Sequence, residues 1–364
     1  MRLRSFRSYE RTEVELGSGV TAICGANGSG KTNLIEALYF GCTGRSCRTT
    51  NERELVRFGD EVARVEVDVV CGEQRHRLAA GLAPGHPKHL TVDDGPVDSL
   101  LGAPERPLLS VFLPERLELV KGAPGLRRAH LDSFVAALWP HRAETRRAFG
   151  RALAQRNALL GRIRSSQAGP ATLDAWDEEL ARCAVALVAD RSEATAMLTP
   201  QITEIGSALG LPGELTVAYR SQSGGWTAGE FAAWLAERRV GDIERGFTQA
   251  GPHRDELVLR HAGRELRTYG SQGQHRIGLL ALLLAERAAL TRLRGTVPIL
   301  LLDDVLSELD VVRRELLVGR LAQGGQTLLT TTEIEHLPAS VRARVDHLEV
   351  AALRDASTAA GVAA

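Results

Sequence analysis

The chain has 364 residues, 44% of them hydrophobic and 25% charged, with 45 basic side chains balanced by 45 acidic ones. That is the composition of a globular protein of about two domains, and the lack of any apolar stretch long enough to cross a bilayer argues against a membrane protein. The start, Met1-Arg-Leu-Arg-Ser-Phe6, has no signal-peptide core, so a cytoplasmic protein is expected.

In chain order, the first third is strand-rich. Arg2–Tyr9, Thr12–Leu16 and Val20–Cys24 are short apolar or β-branched segments, and Glu61–Val70 places Val65, Val67 and Val69 at a strand's period of two. Gly81–Gly95 reads as loop, with Pro84, Pro87 and the turn signal Asp93-Asp94-Gly95. Leu108–Leu113 is an apolar strand ending at Pro114.

From about Gly125 to Gly210 the chain is rich in Ala, Leu, Arg and Glu and reads as helix, with one break at Ser165–Pro170. Two helical parts of that form lead out from a body and back. Leu126–Arg164 carries nine arginines against two acids, Asp132 and Glu144. A neutral protein can hold a polyanion on such a segment, although a solvated helix face explains the same run. Phe231–Arg239 is a further short helix.

The last third is mixed. Glu256–Arg260 and Glu265–Thr268 form a hairpin around Ala262-Gly263, and Gly273–Arg294 is a long helix. Val297–Leu302 is a continuous apolar run, as in a strand buried on both faces. Helix Asp310–Gln323 and strand Thr327–Thr332 complete an alternation that predicts a largely parallel sheet. The tail, 351–364, is biased enough to be disordered. Five cysteines, at positions 24, 42, 47, 71 and 183, show no CxxC pair and no zinc spacing, and are expected to be reduced, mostly buried thiols.

Gly25-Ala-Asn-Gly-Ser-Gly-Lys-Thr32 matches G-x4-G-K-[ST] between an apolar strand and a helix. Gly25, Gly28 and Gly30 let the backbone of Ala26, Asn27 and Ser29 curl until its N–H groups point at phosphate, and the helix N-terminus adds partial positive charge. Lys31 can bridge the β- and γ-phosphates of ATP, and the Thr32 hydroxyl can hold Mg²⁺; Asn33 follows in the same turn. Ile299-Leu-Leu-Leu-Asp303-Asp304 is an apolar strand ending in two acids, which a magnesium ion at Asp303 would explain. Asp304 would then face the attacking water as the catalytic carboxylate. Ser271-Gln272-Gly273-Gln274 opens a helix and can aim a hydroxyl and N–H groups at an anion, or be a simple cap.

The order P-loop, S-x-G-Q, apolar strand with Asp-Asp, then Ser307-Glu-Leu-Asp310 resembles the ABC-type ATPase head shared by SMC and related DNA-repair proteins. Four stretches resemble the RecF family in particular: Gly25–Tyr39, Leu119-Val-Lys-Gly-Ala-Pro124 with Arg127-Arg128, Gly251-Pro-His-Arg-Asp255, and Leu301-Leu-Asp-Asp-Val305 with Ser307–Asp310. The resemblance runs to about residue 350. It implies an α/β ABC-type head, a P-loop NTPase, from 1–124 and 245–350, with 125–244 inserted as a helical lever. It implies an ATP-dependent homodimer in which Ser271–Gln274 meet the nucleotide of the second subunit and Ser307 and Asp310 form the D-loop. It also implies binding to double-stranded DNA or single-strand/double-strand junctions at gaps, and work with RecR and RecO to load RecA.

DNA contacts are expected at Arg127, Arg128, Arg146, Arg147 and Arg151. Two departures stand out: His275 replaces a glutamine of the family signature, and Asp304 replaces the glutamate of most ABC proteins, as in RecF relatives. No switch histidine directly follows the Thr327–Thr332 strand. Slow, DNA-stimulated hydrolysis is therefore expected. An ABC transporter subunit and a non-hydrolysing SMC-like scaffold are the alternatives.

Overall fold

Val20–Cys24 is buried at every position, and the reason is its place inside a parallel sheet. The computed structural model describes residues 1–307 and 309–353. It divides into two units: Met1–Pro114 with the described residues from Thr296 onward, and Glu115–Gly295.

In the first unit, five parallel strands stand in the order Asp346–Glu349, Val20–Cys24, Thr327–Thr331, Ile299–Leu302, Leu109–Phe112. A second sheet of six antiparallel strands runs Tyr9–Glu13, Arg2–Phe6, Ala63–Cys71, Gln74–Leu82, His89–Val92, Gly95–Pro96. Helix Lys31–Thr43 shares one core with both: Leu34, Ile35, Leu38 and Phe40 are buried with Ile23, Leu301 and Leu328 of one sheet and Phe6, Val65 and Leu78 of the other. The helix lies so close to the antiparallel sheet that a Cβ at Gly41 would come within 2.6 Å of Val67 and 2.8 Å of Val65. A larger residue there would overpack the core, at a cost of about 1–3 kcal/mol.

The second unit holds helices Pro124–Leu138, Ala143–Arg164, Asp174–Ala208 and Gln272–Arg294 with a three-stranded antiparallel sheet, Arg264–Glu265, Glu256–His261, Leu215–Arg220. Helix Gln272–Arg294 packs on helices Asp174–Ala208 and Pro124–Leu138. Between the two longest helices Arg156 is wholly buried. It donates to Asp177 at 2.6 Å, Asp242 at 2.7 Å and Thr248 at 2.7 Å. A buried cation held by two carboxylates costs little only while every partner is present.

Several expectations need correcting. The segment 81–95 is not loop: it contains the end of Gln74–Leu82, the strand His89–Val92, and a tight hairpin in which Asp93 and Asp94 take φ of 50° and 64°. Two residues at positive φ make the turn type whose twist matches a hairpin. The first strand stops at Phe6, and the chain turns back at Tyr9 rather than Thr12. The helical stretch has a second break at Trp139–Arg142, where Pro140 cannot continue the helix. Leu215–Arg220 and Asp346–Glu349 are strands the sequence reading passed over. Residues 351–353 are helical, whereas 354–364 of the expected disordered tail lie outside the described residues. The units divide at Pro114 and Gly295, against the expected 124 and 245, because the Gln272–Arg294 helix and the Glu256–His261 strand pack with the long helices.

A candidate nucleotide-binding site

The P-loop lies between the buried strand Val20–Cys24 and helix Lys31–Thr43. Gly25, Gly28 and Gly30 have φ of 154°, 78° and 109°, values that suit glycine alone, and a Cβ at Gly25 would meet Ser29 Oγ at 2.8 Å. No side chain among the described residues caps the helix at Gly30, which leaves its first N–H groups for a ligand. Lys31 folds back over the loop and donates to the carbonyls of Gly25 at 2.6 Å and Ala26 at 2.9 Å. Tyr9, on the antiparallel sheet, donates to the Gly30 carbonyl at 3.1 Å and so ties that sheet to the loop.

The two acids sit where Ile299–Leu302 ends. One strand, Thr327–Thr331, separates this strand from the P-loop strand, and it contributes directly. Thr330 Oγ1 donates to Asp303 at 2.7 Å and accepts from the Asp304 N–H at 2.9 Å. From the other side Thr32 Oγ1 lies 2.8 and 3.0 Å from the two Asp303 oxygens. Burial pushes the Asp303 pKa above the usual carboxylate range, against the two threonine hydrogen bonds, while Asp304 raises it further. Asp304 itself is held at φ 48°, a left-handed conformation that aspartate tolerates better than most residues.

A shell of charged residues around helix Lys31–Thr43 escaped sequence reasoning. Glu36 is fully buried and accepts from Arg7 at 2.8 and 2.9 Å, with Ser46 at 2.5 Å and Arg48 at 3.6 Å. Asn33, expected to bind nucleotide, bonds Ser8 at 3.0 Å and lies 3.5 Å from Arg48. His336, five residues past the central strand, returns to within 3.2 Å of the Thr331 hydroxyl and 3.3 Å of Thr332. Ser307 donates to the Asp304 carbonyl at 3.2 Å, and Asp310 caps helix Val311–Leu321 through the Arg313 N–H; Glu308 lies outside the described residues.

Cys24, Cys42 and Cys183 are buried, Cys47 is half-buried and Cys71 exposed. Burial, reinforced by Glu349 and Glu335, pushes the Cys24 thiol up to about 11. Its sulfur and the side chains of His347 and Glu349 come within 4.8 Å of one another, a juxtaposition that linear spacing does not reveal.

In the second unit, Ser271 and Gln272 are exposed at the start of helix Gln272–Arg294. Ser271 Oγ accepts from the Gln274 N–H at 3.3 Å and the Gln274 side chain accepts from the Ser271 N–H at 2.8 Å, a complete capping box. The capping alternative is therefore real, though it leaves Ser271 exposed. His275 is buried and bonds the Leu266 carbonyl at 2.7 Å, which gives the ring an anchoring role in place of the family's glutamine.

The arginines separate into two kinds. Arg127 is a correction: it is buried, donating to Glu256 at 2.6 Å and to the carbonyls of Leu119, Val120 and Gly122 at 3.0–3.2 Å, and offers nothing to a DNA phosphate. Arg128 donates to the Asp255 carbonyl at 2.9 Å. Arg146, Arg147 and Arg151 project from helix Ala143–Arg164 and are 60–66% exposed, paired with Asp132 or Glu144 at the surface.

Comparison with known proteins agrees with this geometry. The profile of an AAA domain matches residues 1–77. The DNA replication and repair protein RecF of Streptomyces avermitilis is 37% identical over 353 residues, covering 92% of this chain and 93% of that protein. Its counterpart in Heliobacterium modesticaldum is 36% identical over 340 residues and 91% of each chain. Among solved structures, the recombination mediator protein RecF of the RecFOR pathway, with ATPrS, superposes with a TM-score of 0.81 at 28% identity over 93% of this chain and 92% of that one. An Smc head domain from Pyrococcus furiosus shares the fold at a TM-score of 0.54 and 17% identity, covering 91% of this chain and 88% of that one. The chain belongs to the RecF family, DNA replication and repair proteins built on an α/β ATP-binding head of the kind found in SMC proteins.

Proposed function

We propose that this chain is an ATP-driven DNA clamp. It binds ATP with magnesium at the P-loop, closes into a homodimer on ATP, holds DNA through its arginine-bearing helices, and opens on slow, DNA-stimulated hydrolysis. The observation that carries the reading is the buried Asp303 carboxylate, met by Thr32 and Thr330 hydroxyls at the end of the P-loop. A hydroxyl and a carboxylate oxygen are the donors a hard divalent cation takes. Burial of that carboxylate without a cation is unfavourable, so the donor set fits Mg²⁺. Thr32 and Asp303 would hold the ion, whose chemistry is to neutralise phosphate charge. Lys31 would leave the Gly25 and Ala26 carbonyls for the phosphates, and Asp304 would orient the attacking water.

In this reading the first unit is the nucleotide half of the head, and the second carries both the signature helix and the lever. Exposed Ser271 and Gln272 suit contact with the nucleotide of a second copy. Recognition of double-stranded DNA or of gap junctions, partnership with RecR and RecO, loading of RecA and a cytoplasmic site of action follow from the family. Sedimentation with and without MgATP and duplex DNA tests the whole: an ATP-dependent dimer that takes DNA into the complex is expected, and a chain that stays monomeric and unbound under all four conditions overturns it.

A further inference from the structure

The second unit contains a cavity of about 610 Å³, within the range of small-ligand sites. Arg128, Arg146, Arg147, Arg151 and Arg191 line it, with Asp132 and His253. The charges do not balance. Arg146 and Arg191 share Asp132, Arg147 and Arg151 share Glu144, and Arg128 is bonded to a neutral backbone carbonyl. Five guanidinium groups thus face two carboxylates, in a concave site that concentrates the field.

The family fingerprint Gly251–Asp255, which has no mechanism at the sequence level, builds one wall. The Pro252 carbonyl accepts from Arg191 at 2.7 Å, Asp255 accepts from the Tyr219 hydroxyl at 2.5 Å, and its carbonyl accepts from Arg128. His253 stacks on Phe149, with ring centroids 6.2 Å apart. Its Nε2 lies 3.1 Å from the Thr248 carbonyl, so Nε2 carries the hydrogen and a neutral ring has its lone pair at Nδ1. Nδ1 is buried and has no hydrogen-bond partner among the described residues. Burial also holds the ring's pKa down, with Arg254 and Arg128 acting in the same direction and Asp255 against.

An arginine-lined cavity with a spare acceptor in its wall complements a ligand that brings both negative charge and a proton. A phosphomonoester is such a group, since its second ionisation falls near pH 6. A backbone phosphodiester has no proton to offer, and a smooth duplex does not enter a concavity. We infer that this cavity is a phosphomonoester site, and that its ligand is the terminal phosphate of a DNA strand end. The identity of that ligand rests on the DNA-binding reading above; the anion chemistry does not.

The test compares fluorescence polarisation of a partial duplex whose recessed strand ends in a 5′-phosphate with the same duplex ending in a hydroxyl, at one fixed ATP concentration. At least threefold tighter binding of the phosphorylated end is expected. The ratio should fall to near one in Arg146→Ala/Arg151→Ala and in His253→Phe. The first variant alters only exposed side chains, so it remains informative if the second does not fold. In parallel, inorganic phosphate is titrated calorimetrically into Lys31→Met protein, which removes competition from the P-loop. Saturable binding lost in the added Arg146→Ala/Arg151→Ala background is expected.

Equal affinity for the two DNA ends, with phosphate still bound, overturns the strand end as ligand and assigns the cavity to a free phosphomonoester. No phosphate binding and equal ends overturn the site. A preference that survives both variants places the end-sensing group elsewhere and also overturns it. If neither DNA binds at all, the DNA-clamp reading has failed, and the phosphate titration alone decides the cavity.

Discussion

Asp303 and Asp304 are adjacent carboxylates with different surroundings, and the difference assigns their roles. Asp303 is buried between two threonine hydroxyls, whereas Asp304 is half-buried at φ 48° with its N–H held by Thr330. Asparagine tolerates that backbone as well as aspartate does, so Asp304→Asn changes the charge and not the turn. It should bind ATP as wild type does and lose hydrolysis by about 10²-fold or more in single-turnover assays; wild-type turnover would move the water-orienting role elsewhere. Asp303 makes a prediction about pH. Its folded-state pKa is raised, so folding stabilises the protonated acid, and that contribution is lost as pH rises through the folded value. Asp303→Asn is neutral throughout. In the nucleotide-free protein it should melt above wild type at pH 7–8, with the gap closing as pH falls, while the rise in Tm on adding MgATP shrinks. A variant that melts lower at pH 8 would mean the carboxylate is compensated without a metal. Lys31→Met should abolish ATP binding and leave the fold intact, because Lys31 bonds only to P-loop carbonyls; equilibrium binding of a fluorescent ATP analogue checks it.

At the scale of elements, a segment was legible when its own residues decide its state. The P-loop is one: three glycines, a lysine and a helix start within eight residues encode the cradle. Ile299–Leu302 was legible because a strand covered on both faces is apolar throughout. The segment 81–95 was not, because its prolines and turn residues mark real turns, yet the pairing His89–Gly81 that makes the short strand between them is supplied by the neighbouring strand. The Thr330 role depends on a strand 27 residues from Asp303, and Glu36 depends on Arg7, 29 residues away. Neither relation has a local signature.

Arg127 shows the same limit. Beside Arg128 it looks like part of a basic surface, but it closes the turn after helix Glu118–Lys121 by accepting none and donating to three carbonyls and Glu256. Arg127→Ala should destabilise the second unit by about 3 kcal/mol, read by denaturant unfolding, with no change in the salt dependence of DNA binding in the folded protein. Arg146→Ala/Arg147→Ala/Arg151→Ala should do the reverse. Each lost phosphate contact lowers the slope of log K against log salt by up to about 0.9, with little loss of stability. An unchanged slope would make these arginines a solvated face.

For the whole molecule, the question is what joins two chains, and the surfaces concerned lie in both units. Ser271 and Gln272 are exposed at the head of a helix whose capping box fixes the Ser271 backbone, so the serine is presented rigidly. In the first unit, the helix that follows Asp310 exposes Val311 and Val312 at 69% and 65%, with Leu316 one turn beyond Val312. Apolar residues grouped next to a D-loop are unfavourable in water and suit an interface. ATP provides the discriminating contact: its γ-phosphate is the group that Ser271 and Gly273 of a second copy would meet, and ADP lacks it, so only ATP has differential affinity for the closed dimer. Ser271→Arg should then leave ATP binding by the monomer nearly intact, while a bulky cation at the exposed helix start blocks dimerisation and with it hydrolysis. Val312→Asp, on the other surface, should weaken the same dimer without touching either nucleotide motif. Analytical ultracentrifugation of wild type and both variants, with no nucleotide, ADP or ATP, measures this directly. A wild-type chain that dimerises as well in ADP as in ATP, or a Ser271→Arg chain that dimerises normally in ATP, would remove the γ-phosphate from the interface and leave the capping box as the whole role of Ser271.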